Sequence, residues 1–182
     1  MYNEHGHFFA LNALPPEGRE VTITDQSVWL TPLAAFHMAC TVRRPLAATV
    51  HMLPAANGCL VRGALTGEVL LPCSRCAEDA VTAINACFEE FEETPALDAA
   101  GNPLPGEESR IVFHNNAPLL DLAALCWEEF VLALPPAPLC APACRGVCLD
   151  CGVNLNTALC SCARDETDPR LAPLRALSLK SR

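Results

Sequence analysis

The sequence predicts an α+β fold: a mostly antiparallel β-sheet, one buried helix, and a Cys-rich, zinc-stabilised C-terminal segment. Three observations predict it. Apolar residues alternate from Leu46 to Leu71 on either side of Asn57-Gly58, the pattern of a hairpin. Asp121 to Leu134 carries a helical apolar arc between an N-cap aspartate and the stop Pro135-Pro136. Six of the twelve cysteines fall between Cys140 and Cys162, at spacings that suit a metal ion. These divide the chain into a body over residues 1–139 and a metal-binding segment over 140–182.

The first 35 residues give only two short apolar runs, Val21–Thr24 and Val28–Leu30, after Pro15, Pro16 and Gly18. Leu46, Ala48, Val50 and Met52 then alternate with more polar neighbours as a strand ending at Pro54. The second arm runs through Cys59, Val61, Gly63, Leu65, Gly67, Val69 and Leu71, and its interior glycines imply bending or a close backbone approach. Cys73-Ser-Arg-Cys76 reads as a loop, with Val81 to Phe91 returning as a further strand. Pro95–Glu108, rich in Pro, Gly, Ala and acidic residues, reads as a mobile loop, and Arg110 to His114 as one more strand.

In the helix, Ala123, Trp127, Phe130, Val131 and Leu134 share one face, with Leu122, Leu125 and Leu132 widening it. Glu128 and Glu129 are expected to face out. Asp168-Pro169 supplies an N-cap and a first-turn proline for a short final helix through about Leu177.

Composition narrows the function. Aromatic residues make up only 5% of the chain, so Leu, Ala and Val must fill the core. The net charge of −9 is uneven: the first 139 residues carry 17 acidic and 6 basic side chains, the remainder 4 and 6. An acidic body repels phosphate backbones and suits a basic protein partner better than bare nucleic acid. The basic residues Arg145, Arg164, Arg170, Arg175, Lys180 and Arg182 lack the interleaved aromatics of a single-strand RNA platform, which favours a solvated helix end. Met1 to Phe9 holds Glu4, His5 and His7 rather than a basic and then apolar leader, and no run approaches the ~18 apolar residues of a membrane span. The expectation is a cytoplasmic protein with reduced thiols, in which clustered cysteines bind metal.

Cys148-Leu-Asp-Cys151-Gly152 has the form of a zinc knuckle: two thiolates two residues apart, then a glycine that lets backbone amides turn toward sulfur. Cys160-Ser-Cys162 completes a four-sulfur site, closed and therefore structural. Cys73, Cys76, Cys140 and Cys144 are left for a second site that pins the C-terminal segment to the sheet. Alternatively, one ion draws four ligands from all eight. Cys40, Cys59, Cys87 and Cys126 sit in apolar patterns and read as small buried hydrophobes.

Catalytic readings fare worse. A redox dithiol at Cys73 and Cys76 lacks a βαβ setting, and Glu78 and Asp79 nearby would raise a thiol pKa. The histidines His5, His7, His37, His51 and His114 are scattered, and no phosphate loop or H-E-x-x-H occurs.

Gly63-x-Leu65…Leu71-Pro-Cys73-Ser-Arg-Cys76 resembles the C-x-R-C centre of the YceD-type proteins, called large ribosomal RNA subunit accumulation proteins. The likeness continues through Asp121-Leu-Ala-Ala and Glu128 to Cys140, through Cys144-Arg-Gly-Val-Cys148-x-x-Cys151-Gly-Val-Asn-Leu-Asn156, and through Cys160-x-Cys162 to Asp168–Ala172. It covers about residues 59 to 177, and the amino-terminal third is similar only in layout. The resemblance implies a non-enzymatic role in 23S ribosomal RNA accumulation or processing, and so in large-subunit assembly. Genes of such proteins commonly neighbour that of a small basic zinc-ribbon protein of the large subunit. No catalytic residue carries over. The alternative, a thiol redox sensor or oxidoreductase using Cys73 and Cys76, predicts an easily cycled disulfide instead of bound zinc.

Overall fold

A computed structural model describes residues 7–98, 109–115 and 117–162. The expected final helix at Asp168 and most of the basic tail lie outside them, as do residues 99–108 of the expected Pro95–Glu108 loop.

Four strands form an antiparallel meander: β2 (Arg19–Ile23), β3 (Thr41–Ala55), β4 (Gly58–Pro72) and β5 (Asp79–Glu93). The last three are 15 residues each, so the hairpin arms extend well beyond the alternating runs that reveal them. Alternation gives this sheet one buried face. Val50 lies opposite Gly63, Met52 opposite Val61 and Ala48 opposite Leu65, and all but Gly63 are fully buried. Gly63 is needed for room: a Cβ there would sit 2.2 Å from the ring of Phe88, which crosses it from β5.

The turn falls one residue earlier than expected. Ala55 pairs with Gly58, leaving Ala56-Asn57 as the two-residue connection. Gly58 instead opens β4, where a Cβ would lie 2.0 Å from the Glu92 carbonyl oxygen. The glycine is required by the neighbouring strand rather than by the turn.

A second, three-stranded sheet pairs β1 (Phe8–Ala10), β7 (Ala117–Asp121) and β6 (Ile111–His114) in that order. Helices α1 (Ser27–Ala35) and α2 (Leu122–Ala133) pack on each other, with Phe36 and Trp127 stacked at 6.0 Å. One apolar core joins both sheets and both helices, from Ile23 and Trp29 to Leu120 and Phe130. Each large side chain buried there contributes about 1.5–3 kcal/mol relative to exposure.

The structure therefore contains a second helix, α1, over the run Val28–Leu30. Pro32 inside it and its lack of a side-chain cap conceal it in the sequence. Helix α2 begins where expected: Asp121 caps it, its carboxylate accepting from the Ala124 amide at 3.0 Å. Its inward face is different. Leu122, Leu125, Cys126, Glu129 and Phe130 are buried, whereas Leu132 is 75% exposed and Glu129 only 9%. The stripe at i, i+3, i+4, i+7 and i+8 sets the helix phase, and Glu129 is carried inward with it. Glu92 is buried as well, held by the guanidinium of Arg110, which also binds Glu128. Of the four cysteines read as hydrophobes, Cys59 and Cys126 are buried, Cys40 is half-buried and Cys87 is exposed on the outer side of β5.

Candidate metal centres

The loop from Cys73 to Glu78 joins β4 to β5 at the end of the sheet, continuing the ladder beyond the Pro72–Asp79 pair. The Cys73 amide donates to the Glu78 carbonyl at 2.8 Å, and the Ala77 amide to the Cys73 carbonyl at 2.9 Å. This tight closure puts Cys73 and Cys76 on the same side of the loop. After α2, the chain returns past Pro138, whose carbonyl accepts from the Ser74 amide at 2.8 Å. Arg75 then clamps it twice: its guanidinium donates to the Cys144 carbonyl at 2.8 Å, and its own carbonyl accepts from the Val147 amide at 3.1 Å.

The result is an inner cluster of Cys73, Cys76, Cys140 and Cys144, whose sulfurs all lie within 4.8 Å of one another. Cys73 meets Cys144 at 3.7 Å and Cys76 meets Cys140 at 3.5 Å. These contacts are far longer than the ~2.05 Å of a disulfide and close to the ~3.8 Å edge of a tetrahedron with Zn–S bonds of ~2.3 Å. Cys73, Cys76 and Cys144 are buried among Ala80, Leu139 and Val147, apart from the main core.

An outer cluster follows. A short hairpin pairs Val147 with Asn154, and its turn is the second C-x-x-C loop. The Cys148 amide donates to the Val153 carbonyl at 2.8 Å, and Gly152 closes back on the Cys148 carbonyl at 2.9 Å. Cys148, Cys151, Cys160 and Cys162 are again within 4.8 Å, with Cys148–Cys160 at 3.3 Å and Cys151–Cys160 at 3.6 Å.

The two C-x-x-C loops share one backbone. Ala77 in the first and Gly152 in the second occupy the same position after the second cysteine, with φ of 60° and 72°. The sequence announces the second with its glycine and hides the first behind an alanine.

Electrostatics are graded within each quartet. The amides of Arg75 and Cys140 hold the Cys73 thiol down at about 6, and those of Cys151 and Asp150 hold Cys148 at about 7. The side chain of Asn156 lowers Cys144. In contrast, neighbouring sulfurs push Cys140 and Cys162 each up to about 12, through Cys76 and Cys160 respectively. Sulfurs this close do not all ionise without a cation among them. A divalent ion supplies that charge and keeps ligand thiols deprotonated. Both quartets can hold a metal: four soft donors, closed geometry and amides aimed at sulfur match zinc chemistry.

The structure thus brings the eight cysteines together in two foursomes, Cys73, Cys76, Cys140 and Cys144, and Cys148, Cys151, Cys160 and Cys162. Arg75, Asn154 and Asn156 escaped sequence reasoning as site residues. Their signal was position alone: each lies inside or beside a cysteine motif.

Among the described residues, no helix is long and apolar enough to cross a membrane. A family model described as "Large ribosomal RNA subunit accumulation protein YceD" matches residues 61–178, which span both clusters. A curated relative from Arabidopsis thaliana, "Large ribosomal RNA subunit accumulation protein YCED homolog 1, chloroplastic", is 26% identical over 152 residues. That match covers 71% of this chain and 47% of the relative, so the chain spans about half the length of the protein it resembles. No solved structure matches. With the family model covering well over half of its residues, this chain belongs to the YceD family.

Proposed function

We propose that this chain is a non-enzymatic factor supporting 23S ribosomal RNA accumulation and large-subunit assembly, folded around two zinc ions. Family membership across residues 61–178 is the observation that carries the ribosomal reading. Zinc is held by Cys73, Cys76, Cys140 and Cys144 at one site and by Cys148, Cys151, Cys160 and Cys162 at the other. Four protein sulfurs per ion leave no coordination position open for substrate, so the metal shapes the chain rather than acting on a ligand. The body over residues 1–139 and the cysteine segment over 140–182 are the two working parts, and the first site joins them. The acidic surface of the body contacts a basic ribosomal protein of the large subunit, in a reduced compartment such as the cytoplasm.

Depletion of the protein in its host tests the cellular role. The expected result is a fall in 23S relative to 16S ribosomal RNA, restored by the intact chain. Unchanged 23S levels would overturn it. Co-purification at moderate salt tests the partner, since recovery of bare RNA with no ribosomal protein contradicts contact through protein. Metal analysis separates this reading from a redox dithiol at Cys73 and Cys76. Stoichiometric zinc with thiols slow to alkylate supports the structural sites, whereas a metal-free protein with a readily cycled disulfide supports the redox alternative.

A further inference from the structure

One side chain from the outer segment reaches a sulfur of the inner cluster. Asn156 lies in the turn that follows the returning arm of the outer hairpin, in the chain between Cys151 and Cys160. Its Nδ2 donates to the Cys144 sulfur of the inner cluster at 3.4 Å and to the Asn154 Oδ1 at 2.8 Å. Its Oδ1 accepts from the Arg145 amide at 2.7 Å. With both N–H bonds and the carbonyl engaged, the amide has one orientation available.

The surroundings hold it there. Asn154 Oδ1 also accepts from the Asn156 amide at 2.9 Å, and the Leu155 amide bonds to the Gly146 carbonyl at 2.9 Å. Asn154 Nδ2 reaches Glu78 of the first C-x-x-C loop at 3.4 Å. The strap 154–156 therefore touches both halves of the inner site while outer-cluster ligands flank it in sequence. Filling the outer cluster closes the short loop that contains this strap.

We infer that Asn156 is a positioning residue through which the outer cluster stabilises metal at the inner one, so that the two sites load with positive coupling. This rests on the metal-binding reading above. By linkage, an inner ion favours outer loading by the same factor. A hydrogen bond to a metal-bound sulfur orients the ligand and steadies its charge, and loss of such a partner typically costs about 10–100-fold in metal affinity.

Cobalt(II) titration of the full chain against a competing chelator tests it, reading the thiolate-to-cobalt charge-transfer absorption. Cys151→Ser leaves the inner cluster to be measured alone, and Cys76→Ser leaves the outer one. Asn156→Ala is expected to weaken inner binding about tenfold and to shift the inner charge-transfer band, since the sulfur loses a donor. Cys151→Ser should weaken inner binding by a similar factor, and combining it with Asn156→Ala should add little. Asn156→Asp keeps the acceptor for the Arg145 amide but loses the donor to sulfur, and should weaken the inner site at least as much. Inner affinity unchanged by Cys151→Ser, or fully additive effects of the two substitutions, would overturn the coupling while leaving two metal sites intact. Failure of the unmodified chain to bind cobalt or zinc at either quartet would take down both readings.

Discussion

The inner and outer clusters offer a metal the same four sulfurs, yet they are built from different chain. The inner contacts join residues 64 and 71 positions apart, Cys76 to Cys140 and Cys73 to Cys144. The outer contacts span only 9 and 12. Three of the four inner cysteines are buried with apolar neighbours, whereas of the outer four only Cys148 is buried, outside that apolar cluster. Bringing distant segments together costs more loop entropy, so the inner site depends on strands β4 and β5 and on helix α2 to gather its ligands. The outer site needs only the short hairpin that pairs Val147 with Asn154. One donor set thus does two jobs: the inner joins parts of the fold, and the outer gives shape to a segment with little core of its own.

The largest expected effect would break this contrast directly. Cys73→Ser should halve bound zinc, lower the melting temperature sharply and expose the chain after Pro135 to protease. Cys151→Ser should also halve the zinc but change melting far less. Equal thermal losses for the two variants, measured by calorimetry with metal analysis, would erase the distinction between the sites.

A lesion in the body provides the next comparison. Asp121→Ala removes the cap of α2 at a cost of about 1 kcal/mol, which for a chain of this size lowers the melting temperature by about 2–4 °C. Zinc content should stay the same, because α2 positions the inner ligands without supplying one. Loss of metal in this variant would tie the body and the clusters more tightly than the geometry implies.

The matched backbones at Ala77 and Gly152 sharpen the comparison at smaller scale. Gly152→Ala meets no atom within 4 Å, so its cost is the left-handed backbone, partly offset by a stiffer unfolded chain, for a net loss of up to ~1 kcal/mol. Ala77→Gly relieves the same strain, partly offset by a looser unfolded chain, for a net gain of up to ~1 kcal/mol. Urea unfolding of the zinc-loaded protein reads both, and opposite signs are expected.

The smallest effect concerns pH. Burial, and then the nearby Glu90 carboxylate, raise the Glu129 carboxyl above its usual range, against the attraction of Arg110, with Glu128 adding to the rise. A raised folded pKa means that protonated Glu129 favours folding at low pH and that this advantage is lost as pH rises through the folded value. Glu129→Gln should therefore increase the melting temperature slightly at pH 7, with the gain fading below the ordinary carboxylate range. A gain that persists in acid would assign the effect to packing.

Much of this was legible in the sequence because it depends on local rules. Alternation in Leu46–Met52 and Cys59–Leu71 exposed the hairpin, since side chains on a strand reverse every residue. Asp121 and Pro135 bounded α2 because both act on the adjacent backbone. What failed was long-range. Glu129 looked solvent-facing by polarity, but the helix phase was set by its apolar neighbours. Gly58 looked like a turn residue, but the Glu92 carbonyl of another strand is what requires it. Helix α1 was masked by Pro32, and its burial against α2 supplies what its sequence lacks.

Spacing alone made cysteines 148, 151, 160 and 162 natural neighbours, because so short a chain keeps their sulfurs close. Only the tertiary structure decided that 73 and 76 meet 140 and 144, and that Asn156, carried between outer cysteines 151 and 160, reaches the sulfur of Cys144. The physical reason is distance along the chain. Over a dozen residues covalent connection brings groups together; over seventy, the packing of strands and helix must do so.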